Sequence, residues 1–345
     1  MRPDDERCGM AVDVPAGIQP IGPSIPSPQR RLGSVRRTST IDAIWEGDSR
    51  DAPMQIFGRS RDLFTPADGS SPEVLQEAAL NGVVGTDRVV TEISSRPELE
   101  NLEILIGLKG GLRSTIVETF PDQVEAGTPL YLLLDDISGA TLVSGFAFTH
   151  WTPPGAKSLV QETSPDLKAR KLKMLNICAG FQEGASALGI DGPAAVHAIQ
   201  PVENLSIASD PDAWHELQDP AGISARRSRR MDVWREGDEY VIDAFFQDAG
   251  TSPSGQRIAV HEYTLAARVN TSTGLVTAIK AIPQVLPFNE CPMAIIAVER
   301  LVGQPIREFR SLVNELLPGI DGCTHMNDTL RALAEVPILV SHIPA

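Results

Sequence analysis

Residues 226–238, "RRSRRMDVWREGD", decide the fold because an earlier stretch, "RRTSTIDAIWEGD" at 36–48, has the same pattern. Aligned without gaps, both contain Arg-Arg, a central Asp and a closing Glu-Gly-Asp. Three further pairs of similar segments follow in the same order, and four ordered matches indicate an internal duplication. The further pairs are 54–62 with 240–248, 113–122 with 310–319, and 126–136 with 321–331.

Each half begins with strands. In the second half, Met231–Arg235 and Tyr240–Gln247 alternate in polarity around the acidic Glu-Gly-Asp turn, which predicts a hairpin. Two more strands are predicted over Arg257–Val269 and Leu275–Ile282.

Helices follow these strands. One is predicted from Pro292 to Gly303, because proline favours the first position of a helix and glycine its end. Another begins after Pro305 with an apolar stripe, and the last begins at Cys323. Strands followed by helices predict an α+β fold. We expect two duplicated lobes, each a small antiparallel sheet of three to four strands covered by helices.

The same pattern sets the expected domain boundaries. Residues 1–33 are rich in Pro, Gly and Arg without a period, which predicts a disordered tail. The first α+β repeat is expected at 34–150 and the second at 223–345. Residues 151–222 are interpreted as a connecting insert with one helix, "KARKLKMLNICAGFQEGASALG".

Composition narrows the possible partners. A net charge of −15 and a pI near 4.9 disfavour nucleic acid and anionic membrane surfaces. No apolar run of about 18 residues suggests a membrane span, and no export signal is evident. The four scattered cysteines are therefore expected to be reduced, in a cytoplasmic protein. The expected partners are a small molecule or a metal, with a possible homo-oligomer.

The candidate site lies in the second half. Cys323 and Cys291 both stand at predicted helix starts, where the N-terminal partial charge favours a thiolate. Alternation along its strand places His261 on the helix-facing side with Tyr263. His325 follows Cys323 by two residues. Two thiols and two imidazoles form a ligand set suited to zinc or iron.

Two other hypotheses remain open. Free cysteines are often simply buried, and no familiar metal or nucleophile motif is present, so a protein without a cofactor is equally expected. The chain would then be a cofactor-free lyase or hydrolase acting on a small hydrophobic or aromatic metabolite. His261 would be its general base, working with Glu262 or Tyr263. Alternatively, the chain is a binding or assembly module without chemistry.

Several other residues are weaker candidates. Trp214, His215 and Glu216 lie in a polar loop, which we interpret as anchored by its tryptophan. The arginines at 226, 227, 229 and 230 could bind an anion, but a solvated strand edge is favoured.

Two further features are interpreted as structural. Asp135 and Asp136 are neighbours on a helix, so they are not expected to act as a pair. Cys178 lies on an apolar stripe of the insert and is expected to pack, although the insert could fold over the site. Cys8, in the predicted tail, is not a candidate.

Two resemblances extend these predictions. The segments "GTPLYLLLDD", "DAWHEL", "VHEYTL" and "GCTHMNDTLRAL" resemble an uncharacterised bacterial family of unknown function over about nine-tenths of the chain. Residues 257–335 are more remotely similar to the NifU/IscU-type iron–sulfur cluster scaffold family. That resemblance implies that Cys291 and Cys323 stand where the scaffold has cluster ligands. The positions of the other scaffold ligands hold Ala259, His261 and Gly322 here.

Overall fold

One antiparallel sheet of nine strands forms the centre of the protein. The computed structural model describes residues 22–49, 51–109, 111–151, 172–188 and 200–344. The strands are β1 (Ser34–Trp45), β2 (Met54–Thr65), β3 (Glu73–Val84), β4 (Val90–Arg96), β5 (Gln200–Pro201), β6 (Ser224–Glu236), β7 (Glu239–Thr251), β8 (Arg257–Asn270) and β9 (Val276–Val285).

The strand order is β4-β3-β2-β1-β6-β7-β8, and β8 pairs in turn with both β9 and the short β5. Each predicted set of strands is present, but the two small sheets expected from the sequence are joined into one. The joint is the antiparallel pairing of β1 with β6, from Ser34 opposite Trp234 to Ile44 opposite Ser224. This pairing satisfies the backbone of two strands that would otherwise be exposed edges.

Helices cover one face of this sheet, which we call the helix face. The α-helices are α1 (Leu112–Thr119), α2 (Pro121–Glu125), α3 (Pro129–Val143), α4 (Phe148–Trp151), α5 (Phe309–Leu316), α6 (Thr324–Ala332) and α7 (Val336–Val340). Short 3-10 helices lie between them, at Leu102–Leu105, Ser144–Ala147, Ala179–Phe181, Ser186–Leu188, Cys291–Leu301, Ile306–Glu308, Gly319–Asp321 and Leu333–Glu335. The fold is thus a mixed one, with a large antiparallel sheet and several helices.

Two apolar cores lie between the helices and the sheet. The first is built mainly on β6–β9 and contains Phe246, Tyr263, Phe309 and Met326. The second is built mainly on β1–β4 and α3. Thr128 begins α3 by accepting a hydrogen bond from the backbone N–H of Tyr131 at 3.0 Å, which satisfies a donor in the first helical turn.

The opposite face, which we call the loop face, is covered by residues 22–33 and 200–222. Trp214 is buried beside Phe245 and donates from Nε1 to Ser27 Oγ at 2.8 Å. Residues 22–33, the described part of the predicted tail, therefore lie against the loop face, where Ser24, Ile25 and Ser27 bond to side chains of the sheet and its covering loop. Residues 1–21, including Cys8, lie outside the described residues.

The predicted insert helix is only partly present in the described residues, where 172–173 are α-helical and the following residues are not. Residues 174–188 form turns and the two short 3-10 helices Ala179–Phe181 and Ser186–Leu188. The rest of the insert, at 152–171 and 189–199, lies outside the described residues.

One helical segment, Pro129–Trp151, is long and apolar enough to cross a membrane by length and composition. Its mean hydropathy reaches 1.3, and 67% of the window is buried inside the protein. Its longest part, α3, packs on β1, β2 and β3. A buried core helix passes the same test, so the segment is weak evidence for a membrane span.

Candidate metal centre

Three elements bring Asp248, His261 and His325 together. Asp248 on β7 lies directly opposite His261 on β8, next to a β-bulge, so both side chains are on the same face of the sheet. His325 is the second residue of α6, which packs on β7. We call this group the Asp-His-His site.

The spacing of its donor atoms suits a metal ion. Asp248 Oδ2 lies 3.6 Å from both His261 Nδ1 and His325 Nε2, and the three donor atoms lie within 4.8 Å of one another. A distance of 3.6 Å is too long for a hydrogen bond. It is near the roughly 3.4 Å that separates two ligands held about 2.1 Å from a tetrahedral ion.

The two imidazole rings also stack, with their centroids 3.6 Å apart and an angle of 19° between their planes. His261 Nδ1 is buried and has no hydrogen-bond partner in the part of the chain that the structure describes. Buried polar atoms are nearly always satisfied, so an orphaned imidazole nitrogen indicates a missing partner.

The surroundings set the charge of each group. Burial alone would raise the pKa of Asp248, but Arg227 and the neighbouring His261 outweigh it and hold that pKa well below its usual range. Burial lowers the pKa of His325 well below its ordinary value, and His261 lowers it further. The site therefore offers a carboxylate and a neutral imidazole, the forms that bind metals.

Cys323 is not part of this donor group, although it is the residue immediately before α6 as predicted. Its Sγ lies 3.8 Å from His325 Nδ1, the ring nitrogen that does not face Asp248. Burial raises the pKa of the Cys323 thiol, against the lowering effect of the backbone N–H groups of Met326 and His325. Desolvation thus exceeds the effect of the helix start and disfavours the predicted thiolate.

Cys291 begins its 3-10 helix as predicted, but it is likewise outside the described donor group. The insert covers it so closely that a Cβ on Gly180 would come within 2.6 Å of its Sγ. Burial raises the pKa of Cys291 well above its usual value and that of Cys178 to about 12. These thiols are protonated at neutral pH, so their surroundings favour packing.

The alternative catalytic group does not come together as predicted. Glu262 lies on the loop face, because side chains on a strand alternate. Its carboxylate accepts hydrogen bonds from Ser24 Oγ at 2.5 Å and the backbone N–H of Ile25 at 2.8 Å. Glu262 and His261 are therefore on opposite sides of the sheet. Tyr263 shares the helix face with His261 and is fully buried.

A small cavity borders Asp248 and Arg227. Its volume is about 10 Å³, about enough for one water molecule, and its lining does not include His261 or His325. The side chains of these two histidines are 10% and 15% exposed, so the donor group is mostly but not completely buried.

The arginines of β6 are buried, not at a solvated strand edge as expected. Arg226, Arg227, Arg229 and Arg230 are each at most 5% exposed. The cause is topological: β6 is a central strand between β1 and β7. Buried cations need anionic partners.

On the helix face, Arg227 and Arg229 belong to a connected network of ion pairs. Arg227 donates to Asp248 at 2.9 and 3.1 Å and contacts Asp328 at 3.4 Å. The connected described residues are six arginines and six carboxylates: Arg37, Arg113, Arg227, Arg229, Arg310, Arg331, Asp62, Asp135, Asp136, Asp248, Asp328 and Glu335. Their formal charges cancel. We call them the helix-face network.

The two adjacent aspartates of α3 belong to this network separately. Asp135 binds Arg310 and Arg331, whereas Asp136 binds Arg229. The expectation that they do not form a dyad is confirmed.

The polar loop at 213–218 is anchored as interpreted, with Trp214 only 3% exposed. His215 is also buried, and its two ring nitrogens lie 2.9 Å from the hydroxyls of Thr38 and Thr40. Burial and the nearby charge of Arg61 lower the pKa of His215 to about 3. Glu216 is exposed.

Asp248 is the site residue that the sequence analysis missed. It closes the apolar alternation of β7, on the same face as Phe246 and Ala244. A single carboxylate at the end of a core-facing series was the available signal, because such a group requires a partner.

Comparison with known proteins gives one match. A model described as "Protein of unknown function (DUF2889)" matches residues 225–339, about one third of the chain. That segment contains the Asp-His-His site. The match is consistent with the predicted uncharacterised family, but it does not extend to the predicted nine-tenths of the chain, and the likeness to iron–sulfur scaffolds remains a prediction. No curated protein and no solved structure matches the chain.

Proposed function

We propose that this protein binds one divalent metal ion at the Asp-His-His site. The observation that carries the proposal is the convergence of three donor atoms within 4.8 Å, of which His261 Nδ1 is buried and has no hydrogen-bond partner among the described residues. Two imidazoles and one carboxylate suit zinc best and ferrous iron next.

The ion has a structural role in this proposal. Its ligands come from β7, β8 and the first turn of α6, so it would fasten the last helices to the sheet. Glu262 lies on the opposite face of the sheet from His261, which disfavours a cofactor-free lyase or hydrolase in which these two residues act together.

The charge balance limits the expected affinity. Asp248 is already paired with Arg227, and the helix-face network is neutral without an ion. A divalent ion therefore adds charge that the surroundings do not offset. We expect weaker binding than at a four-ligand zinc site with thiolates, and weaker still when Asp248 is removed.

Iron–sulfur cluster assembly is not part of this proposal. Cluster ligands are thiolates, whereas burial raises the pKa of Cys291 and Cys323. These described thiols are also free and buried, which agrees with a reducing compartment and supports the cytoplasm.

We also retain internal duplication as a proposal. Arg36 binds Asp232, and Arg226 binds Asp42, so the two similar stretches exchange equivalent ion pairs across β1 and β6. This reciprocal pairing is expected of two copies related by an approximate twofold axis.

Zinc titration of chelator-treated protein tests the metal proposal. Calorimetry should give one site per chain, with affinity reduced at least tenfold in His325→Gln and in Asp248→Asn. His342→Gln is the matched control, because His342 lies outside the donor group. Equal zinc binding by wild type and His325→Gln, or no binding of zinc and ferrous iron by the wild type, would refute the proposal.

A further inference from the structure

A cleft on the loop face is large enough for a small molecule. Its volume is about 420 Å³, within the range of small-ligand pockets. Arg226, Gln247 and Arg257 line it from the beginning of β6, the middle of β7 and the beginning of β8. The loops 202–206 and 217–219, together with Gly255 and Gln256, form the rest of its wall. We call it the Arg257 cleft.

Arg257 has unsatisfied hydrogen-bond donors in the described part of the chain. Its Nη1 and Nη2 are buried and have no hydrogen-bond partner among the residues that the structure describes. The carboxylate of Asp42 is 3.7 Å away, but its oxygens already accept from Arg226 Nε at 2.7 Å and Nη2 at 3.1 Å. A buried guanidinium without an acceptor is costly, so an acceptor from outside the chain would stabilise it.

The pKa of Arg257 is consistent with the absence of a hydrogen-bond acceptor among the described residues. Burial and the neighbouring charge of Arg226 lower the pKa of Arg257 to about 10. Arg227 on the other face differs in this respect, since burial is outweighed there by its carboxylate partners and its pKa is raised. Arg257 still carries its charge at neutral pH.

The other residues that line the cleft indicate which class of ligand it could bind. A planar carboxylate matches the fork of a guanidinium. The exposed acids Glu203 and Asp219 line the same cleft and would repel a polyanion. They favour a ligand that also has a positive group, and Leu205 and Leu217 supply apolar surface.

We propose that the Arg257 cleft binds a small monocarboxylate that carries an amino group, such as a free α-amino acid, with its carboxylate on Arg257. This site is independent of the Asp-His-His site, because the two lie on opposite faces of the sheet.

The test is a binding screen with the twenty common α-amino acids, each added singly to the full chain at millimolar concentration. At least one should raise the melting temperature, and calorimetry should show binding to one site. The amide of the same amino acid should bind at least tenfold more weakly. Chloride and sulfate at equal ionic strength should give no comparable shift.

Variants then locate the site. Arg257→Met should weaken binding at least tenfold, whereas Arg268→Met is the matched control, since Arg268 is an exposed arginine on the same strand. Ser206→Trp should fill the cleft without disturbing the core, because Ser206 is an exposed residue of the lining. If Arg257→Met does not fold, binding by Ser206→Trp tests the location of the site instead. No shift with any amino acid, or wild-type binding by Ser206→Trp, would overturn the proposal.

Discussion

The two faces of the sheet bury arginine in different ways. On the helix face, six arginines and six carboxylates among the described residues form one connected and neutral set. On the loop face, Arg36 and Arg226 have carboxylate partners, whereas no described residue offers Arg257 a carboxylate within hydrogen-bond distance. The paired arginines of the helix face therefore stabilise the fold, whereas Arg257 on the loop face is available to bind a ligand.

The largest effect is expected where the charge balance is complete. Asp136→Asn leaves Arg229 without its carboxylate inside the protein. We expect a loss of about 3–5 kcal/mol in the free energy of unfolding, measured by chemical denaturation. Asp321→Asn is the control, since Asp321 and Arg300 are both more than 40% exposed and should lose at most about 1 kcal/mol. Equal losses of unfolding free energy in the two variants would contradict the claim that the helix-face network stabilises the fold.

A second effect concerns pH and the loop face. The pKa of His215 is about 3, below the ordinary value near 6.5 for the unfolded chain. The unfolded state therefore binds more protons between these values, so stability is complete above pH 6.5 and falls as the pH is lowered. Near pH 5, His215→Gln should reduce the slope of the unfolding free energy by about 1.4 kcal/mol per pH unit. An unchanged slope would show that His215 is not buried as described.

A smaller effect is expected at the unpaired arginine. Arg257→Met removes a mostly buried cation whose nearest carboxylate among the described residues, that of Asp42, lies 3.7 Å away, so the free energy of unfolding should change by no more than about 1 kcal/mol in either direction. Arg229→Met should lose several times more, because it leaves the buried Asp136 with only the longer contact to Arg227 at 3.6 Å. Similar losses in both variants would remove the distinction between the two faces.

The smallest effect concerns the thiols beneath the helices. Because burial raises the pKa of Cys178, Cys291 and Cys323, native Cys8→Ser protein should react with an aromatic disulfide reagent only at the rate of unfolding. Absorbance of the released thiolate measures this rate. Rapid modification of the native variant would show that one of the three thiols is accessible.

Much of the fold could be predicted from the sequence. The hairpin around the Glu-Gly-Asp turn is confirmed by β6 and β7, because alternation and turn residues are local signals. The pairing of β1 with β6 is a contact between residues about 190 positions apart. No local pattern reveals it, and so β6 was wrongly predicted to be an exposed edge.

The candidate site could be predicted only in part. His261 and His325 do lie together, since strand alternation and the helix start are both readable from the sequence. Asp248 was missed because its cross-strand pairing with His261 depends on register. A lowered pKa was predicted for Cys323, whereas burial raises it. The sequence does not show burial, which here outweighs the effect of the helix start.

X-ray absorption spectroscopy of the zinc-loaded protein tests the central claim most directly, because it reports the atoms bound to the ion. The Asp-His-His site predicts only nitrogen and oxygen ligands, at about 2.0–2.2 Å, including two imidazoles. A sulfur ligand near 2.3 Å would place the ion on the cysteines instead. That result, or a protein that takes up no zinc, would contradict the account.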